Sequence, residues 1–217
     1  MDSKIFKAYD VRGIYPEQLD ETAAEAIARA FVVMRQKETG KSDVTILVAR
    51  DMRLSSPSLT EAVIRGLTGQ GADVVDIGLA STPTYYFGVA FFGYDGGMQV
   101  SASHNPARYN GFKIVRDHAK PLGNGTGMEE LRDLAMAGEF PQAARTGTVT
   151  QRTDVLVRQV TEELGHGDTA AIKPMVIVAD SANAMGSQYL DALFAAAPQL
   201  TVHRLFWDLD GTFPNHE

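Results

Sequence analysis

The sequence predicts an α/β protein: a mixed, mainly parallel sheet sandwiched by helices, followed by a partial second α/β domain. Three observations carry that expectation. Short apolar runs rich in β-branched residues, such as "DVTILVA" (43–49) and "ADVVDIG" (72–78), read as buried strands. Segments with helical apolar spacing lie between such runs, so strands and helices alternate along the chain. The length, 217 residues with 44% hydrophobic and 22% charged, suits one large domain plus part or all of a second.

Taken in order, "ETAAEAIARAFVVMRQKE" (21–38) is a helix by its alanines and its i, i+3/i+4 apolar spacing. "DVTILVA" leads into a loop, "RDMRLSS", and then the helix "SPSLTEAVIRGLTGQG". There Ser56 is expected as N-cap, Pro57 at the first helical position and Gly71 at the end. "ADVVDIG" is a second strand, and "STPTYYFGVAFFG" is a short apolar helix capped by Ser81 or Thr82. "GGMQVSAS" is a third strand and "GTGMEELRDLAMAGE" a further helix. "FPQAARTGTVTQ" (140–151) has no periodicity, which places a boundary near it and divides the chain into 1–145 and 146–217. Beyond it the grammar restarts: helix "TDVLVRQVTEELG", strand "PMVIVAD", helix "SQYLDALFAAA" and strand "TVHRLFWDL".

Composition narrows the function classes. The net charge is −7 with acids and bases mixed, so no basic surface suggests nucleic acid as a partner. No run approaches the ~20 apolar residues of a membrane-spanning helix, and no membrane partner is expected. Cysteine is absent, which excludes disulfides and zinc-thiolate sites. "MDSKIFKAYDVRG" lacks a secretory pattern, and together these features lead us to expect a cytoplasmic protein. An acidic protein binds an anionic small molecule only where Arg, Lys and backbone N–H groups converge locally.

Such convergence is offered first by "VSASHNPARYNGFKIV" (100–115). Ser103 falls just past a strand end, where α/β sheets usually place ligands, with His104 beside it. Asn105-Pro106 makes a turn, and Asn110-Gly111 suggests a tight reversal that brings Lys113 back towards the serine. A hydroxyl, an imidazole and an ammonium on one knuckle suit phosphoryl or acyl transfer. The competing reading is a polar turn whose side chains cap backbone groups. "AYDVRG" (8–13) brings Tyr9, Asp10 and Arg12, either a phosphate-binding fork or a surface turn with an ion pair. "ARDMRLSS" (49–56) reads more readily as a salt-bridged strand-to-helix loop than as an anion site. The motif "FWDLDGTF" (206–213), with Asp208 and Asp210, imitates the nucleophile segment of haloacid-dehalogenase-type phosphatases, but the lysine and acidic pair of that family do not follow it. His118, His166 and His203 lie without metal-ligand spacing.

In order and spacing, "AYDVRG", "ARDMRLSSP", "SASHNPARYNGFKI" and "DGTFPNH" resemble the α-D-phosphohexomutases, in particular the N-terminal half of a bacterial or archaeal phosphomannomutase/phosphoglucomutase. The resemblance runs from about residue 5 to the end; Ala49 and Met52 depart from residues common in the family, glycine and threonine. It implies that Ser103 is the phosphorylated serine that exchanges its phosphoryl group with a hexose phosphate. By the same resemblance His104, Lys113 and Arg12 organise the pocket and assist transfer, and Tyr9 lies at its edge. The phosphate on Ser103 would give one oxygen to Mg²⁺, the expected cofactor. Interconversion of hexose 1- and 6-phosphates of mannose or glucose, through a bisphosphate, is the function implied. The family's Asp/Gly-rich metal loop and its sugar- and phosphate-binding loops are not in these residues. On that reading 1–217 is a fragment carrying the nucleophile, not competent alone and prone to self-association through its second domain. The rival of another class is a non-catalytic binding or oligomerisation module.

Overall fold

The computed structural model describes residues 1–167 and 171–216. Eight strands and six α-helices alternate along them: β1 (Val11–Ile14), α1 (Glu21–Thr39), β2 (Thr45–Arg50), α2 (Ser56–Gly69), β3 (Asp73–Leu79), α3 (Thr82–Phe92), β4 (Gly96–Val100), β5 (Tyr109–Arg116), α4 (Met128–Ala137), β6 (Val149–Gln151), α5 (Val155–Gly165), β7 (Met175–Asp180), α6 (Gly186–Ala195) and β8 (Leu200–Leu205). The first six strands form one sheet in the order β1-β5-β4-β2-β3-β6. The pairs β4–β2, β2–β3 and β3–β6 are parallel, while β5 runs antiparallel to both β4 and β1. β7 and β8 make a separate parallel pair. The mixed, mainly parallel sheet with helices on both faces is the architecture expected.

Strand β2 shows why both faces are covered. Successive side chains on a strand point to opposite faces. Ile46 and Val48 join the core beneath α1, α2 and α4, with Phe31, Met98, Val100 and Phe112. Leu47 and Ala49 join the smaller core under α3, with Tyr85, Val89 and Val115. A helix-covered parallel strand must be apolar where it is buried, and "ILVA" (46–49), the buried centre of β2, is. Each large side chain fully buried in this way contributes about 1.5–3 kcal/mol. Helix α1 is stopped as its sequence suggests: the Asp20 carboxylate accepts from the Ala23 N–H at 2.8 Å, and Gly40 turns the chain at φ 70°.

Four local expectations are corrected. Ser55, not Ser56, flanks the start of α2; Ser56 is inside the helix and spends its hydroxyl on Asp51 at 2.5 Å. Asn110-Gly111 is not a reversal but the interior of β5, where Gly111 lies opposite Arg12 and Asn110 opposite Gly13. The pairing strand β1 is hidden in the sequence because its four residues alternate with a glycine and an arginine. The segment 140–151, read as structureless, ends in β6, an edge strand pairing with β3. β8 stops at Leu205, because Phe206 takes φ 48°.

Helix α5 packs against both α3 and α6, so the second α/β unit sits beside the first sheet. The β7–β8 pair is thinly covered, with Val176 and Val178 more than half exposed. Among the described residues no helix is long and apolar enough to cross a membrane.

Candidate active site

The loop from Ser101 to Arg108 joins β4 to its antiparallel neighbour β5, at the strand-end edge of the sheet. It is drawn tight by its own polar groups. The Ser103 N–H donates to the Ser101 hydroxyl at 3.0 Å, and the Asn105 amide donates to the Ala102 carbonyl at 2.9 Å. Ser103 takes φ 54°, the left-handed region that a side chain normally avoids at a cost of about 1–2 kcal/mol. Its hydroxyl is exposed and lies 3.4 Å from His104 Nδ1. Strict strand alternation would have sent these neighbours to opposite faces; the left-handed serine brings them together.

Beneath the loop lies Arg53. Its Nη1 donates to the carbonyls of Pro106 and Tyr109, and its Nη2 to those of Ser103 and Asn105, all between 2.5 and 3.0 Å. Asp51 neutralises it at 3.2 Å, with both side chains buried. Asp51 also receives the Ser56 hydroxyl, and the Asn110 amide closes the network onto Ser55 and Ser56 at 2.8 and 3.0 Å. The salt-bridged loop expected for "ARDMRLSS" is what forms. Its reach to the carbonyl of Ser103 had no signal in the sequence.

The second cluster is set by strand register. Arg12 is opposite Gly111, and Lys113 opposite Gln99, so Arg12 and Lys113 fall on one sheet face. Asp10 binds both: its carboxylate is 2.6 Å from Arg12 Nη2 and 3.9 Å from Lys113 Nζ. No hydrogen bond joins either cation to Ser103; Lys113 reaches back to Asp10 instead. Burial, with the Asp10 charge adding to it, raises the pKa of the nearby Tyr86 hydroxyl. The Arg12 Nε–H is buried without a partner.

The loop separates two cavities. One of about 560 Å³ is lined by Lys7, Tyr9, Asp10, Arg12, Asn105 and Tyr109, with Tyr9 79% exposed at its rim. The other, about 370 Å³, is lined by Ser103, His104 and Met52 from the first sheet's loops, by Gln99 of β4, and by Met185 and Phe213 from the second unit. Ser103 and His104 thus share one cavity, and Tyr9, Arg12 and Asn105 the other; Lys113 lines neither. Asp10, read only within a possible turn ion pair, Arg53, read only within a salt-bridged loop, and Asn110, read as a turn residue, are the participants whose part in the site the sequence did not give. An acid among two basic residues was visible for Asp10, but nothing local marked the others.

Asp208 and Asp210 line neither cavity. One oxygen of the Asp210 carboxylate accepts the Thr212 N–H and hydroxyl, which lowers its pKa. Among the described residues no three His, Asp or Glu side chains converge to hold a metal ion. Asp51, the acid nearest Ser103 in its cavity, is taken by Arg53 and Ser56. The residues present therefore do not fit a Mg²⁺ site of their own. A phosphorylated Ser103 would bring one oxygen of the roughly six that Mg²⁺ takes.

The family model for "Phosphoglucomutase/phosphomannomutase, alpha/beta/alpha domain I" matches residues 3–141. The chain belongs to the phosphoglucomutase/phosphomannomutase family. A phosphomannomutase of Escherichia coli is 41% identical over 217 residues, covering 97% of this chain and 46% of that protein. A phosphomannomutase of Klebsiella pneumoniae is 46% identical over 148 residues, covering 67% of this chain and 90% of that sequence. The crystal structure of a phosphoglucomutase/phosphomannomutase family protein from Burkholderia thailandensis superposes with a TM-score of 0.85 at 33% identity, over 100% of this chain and 47% of that one. This phosphoglucomutase/phosphomannomutase chain thus spans about half the length of the Escherichia coli and Burkholderia thailandensis proteins.

Proposed function

We propose that Ser103 is a phosphate carrier and that the chain serves the interconversion of hexose 1- and 6-phosphates, of mannose or glucose, through a bisphosphate. The observation that carries the reading is the exposed Ser103 hydroxyl, presented into a cavity from a left-handed backbone beside His104. Family membership supplies the reaction class. In the forward step a sugar hydroxyl oxygen bonds to phosphorus as the bond from phosphorus to Ser103 Oγ breaks. The sugar hydroxyl gives up its proton, and the serine oxygen takes one. His104, 3.4 Å from that oxygen, is placed to hold the proton. The reverse step returns the other phosphate of the bisphosphate to the serine. Such transfers depend on in-line positioning and on cations that offset charge on the phosphoryl oxygens. Arg12 and Lys113, held by one carboxylate, are the cations assigned to that task by the family resemblance, and Tyr9 borders the sugar's approach. Substrate phosphate competing for them would release Asp10 from its double ion pair.

The domain division at 145/146 belongs to the same reading, with the phosphoserine domain first and β6 (Val149–Gln151) reaching back across the division to pair with its sheet. Self-association through β7 and β8 is read from their exposed Val176 and Val178.

The test is intact mass after incubation with glucose 1,6-bisphosphate. The parent chain should gain one phosphate, mapped to Ser103, and Ser103→Ala should gain none at an unchanged melting temperature. An adduct that persists in Ser103→Ala would end the carrier reading and favour a non-catalytic module.

A further inference from the structure

The transfer chemistry leaves one buried cation without a task. Arg53 is fully buried, and each of its five N–H donors has a partner: Asp51 on Nε, Pro106 and Tyr109 on Nη1, Ser103 and Asn105 on Nη2. A desolvated guanidinium is costly, and an exposed loop could satisfy the same carbonyls with water. What water cannot do is fix four carbonyls at once in one orientation. One of them belongs to Ser103, the residue with φ 54°.

The second α/β unit completes the arrangement. The Phe213 ring stands over the Arg53 guanidinium, 5.0 Å from centroid to Cζ, and lines the same cavity as Ser103 and His104. Two residues earlier, Gly211 comes so close that a Cβ there would lie 2.6 Å from the Met52 carbonyl oxygen and 2.7 Å from the Arg53 Cα. The 208–213 loop is itself anchored, since Asn183 exchanges hydrogen bonds with the Asp208 carbonyl and the Asp210 N–H at 2.9 Å.

We infer that Arg53 is the positioning residue that holds Ser103 in its transferring geometry, and that Phe213 makes this hold depend on docking of the second unit. The inference rests on the carrier role proposed for Ser103. Lysine could not replace Arg53, because three donors on one nitrogen cannot reach four divergent carbonyls and a carboxylate. The negative face of the Phe213 ring keeps the guanidinium dry on its open side. Undocking would admit water to that face, loosen the carbonyls and let Ser103 relax from its left-handed state.

The parent, Phe213→Leu, Phe213→Trp and Arg53→Lys are each incubated with glucose 1,6-bisphosphate. Phosphate on Ser103 is followed by mass, together with the melting temperature and the amide exchange of residues 103–109. Phe213→Leu should slow uptake about tenfold, the loss expected for a desolvated ring–cation contact. Its melting temperature should stay close to the parent's, with faster exchange confined to 103–109. Phe213→Trp should restore both rate and protection, and Arg53→Lys, where it folds, should lose more than Phe213→Leu. Parent-like uptake and exchange in Phe213→Leu would overturn the inference, as would slowed uptake that merely tracks a general loss of stability. Should the parent take up no phosphate, the carrier reading fails, and loop exchange alone judges the hold: release in Phe213→Leu sustains it and parent-like protection sinks it.

Discussion

Two residues eight positions apart in the chain carry opposite demands on their backbones. Ser103 has a side chain where the backbone would favour none, at φ 54°. Gly111 needs no unusual φ, yet has no room for a side chain: a Cβ would sit 2.1 Å from the Val11 carbonyl oxygen. The first is a conformational cost that presents an exposed hydroxyl, the second a close approach that lets β1 pair at all. Gly111→Ala should therefore destabilise the fold by about 2–4 kcal/mol in urea denaturation, by driving β1 off β5. Because Arg12 lies directly opposite Gly111, the same variant should also lose phosphate uptake at Ser103. A stability within ~0.5 kcal/mol of the parent would show that the two strands separate at little cost. Asn110 teaches the converse lesson. Beside a glycine it resembles a turn residue, but its amide is buried and bound to Ser55 and Ser56.

Among the elements, α1 was legible because period and caps agree over whole turns, α2 and α3 because a serine and a proline open each, and β2 because a strand covered on both faces is apolar through its buried centre. The short edge strands β1 and β6 were not, since four or three residues give no period to read. β6 is held by side chains instead. Asp73 on β3 binds the Arg145 guanidinium at 2.6 and 3.1 Å and the Thr148 N–H and hydroxyl at 2.7 Å. The Arg145 bond, then the Thr148 bonds, hold its carboxyl down to about 2 from an ordinary 3.8. A carboxyl depressed on folding stabilises above its unfolded pKa, and that contribution fades as pH falls through the folded one. Amide exchange in Val149–Gln151 should thus rise between pH 3.8 and about 2. Asp73→Asn should show the raised exchange already at neutral pH and no acid step. The pair is partly exposed, so the effect should stay local and leave the melting temperature near neutral pH little changed.

For the whole molecule, the decisive contact joins the two units at the β2–α2 loop, whose Arg53 reaches the carbonyl of Ser103. Gly211 packs its backbone on Met52, Arg53 and Leu54, at 2.6 to 3.0 Å from where a Cβ would stand. Backbone cannot yield as a flexible side chain can, so Gly211→Ala should push the 208–213 loop away. The expected outcome is a larger radius of gyration in small-angle scattering with an unchanged circular dichroism spectrum. A loss of about 1–3 kcal/mol should accompany it. An unchanged radius together with parent-like stability would mean that the docking is not close in solution. Of the candidate site, the serine block and the N-terminal arginine stood out in the sequence. The division of labour between two cavities did not, because each is assembled from loops far apart in the chain.

By itself the sequence determined the alternation of strands and helices, the apolar centre of the sheet and the choice of Ser103 as the candidate nucleophile. These depend on local periodicity and on a motif whose residues are neighbours. Only the tertiary structure decided that Lys113 and Arg12 share Asp10, that Arg53 holds the carbonyl of Ser103, and that Phe213 covers Arg53. The physical reason is that a charged side chain takes the partner that register and packing bring within hydrogen-bond reach, and those partners lie between 2 and about 160 residues away, a separation to which local patterns are blind.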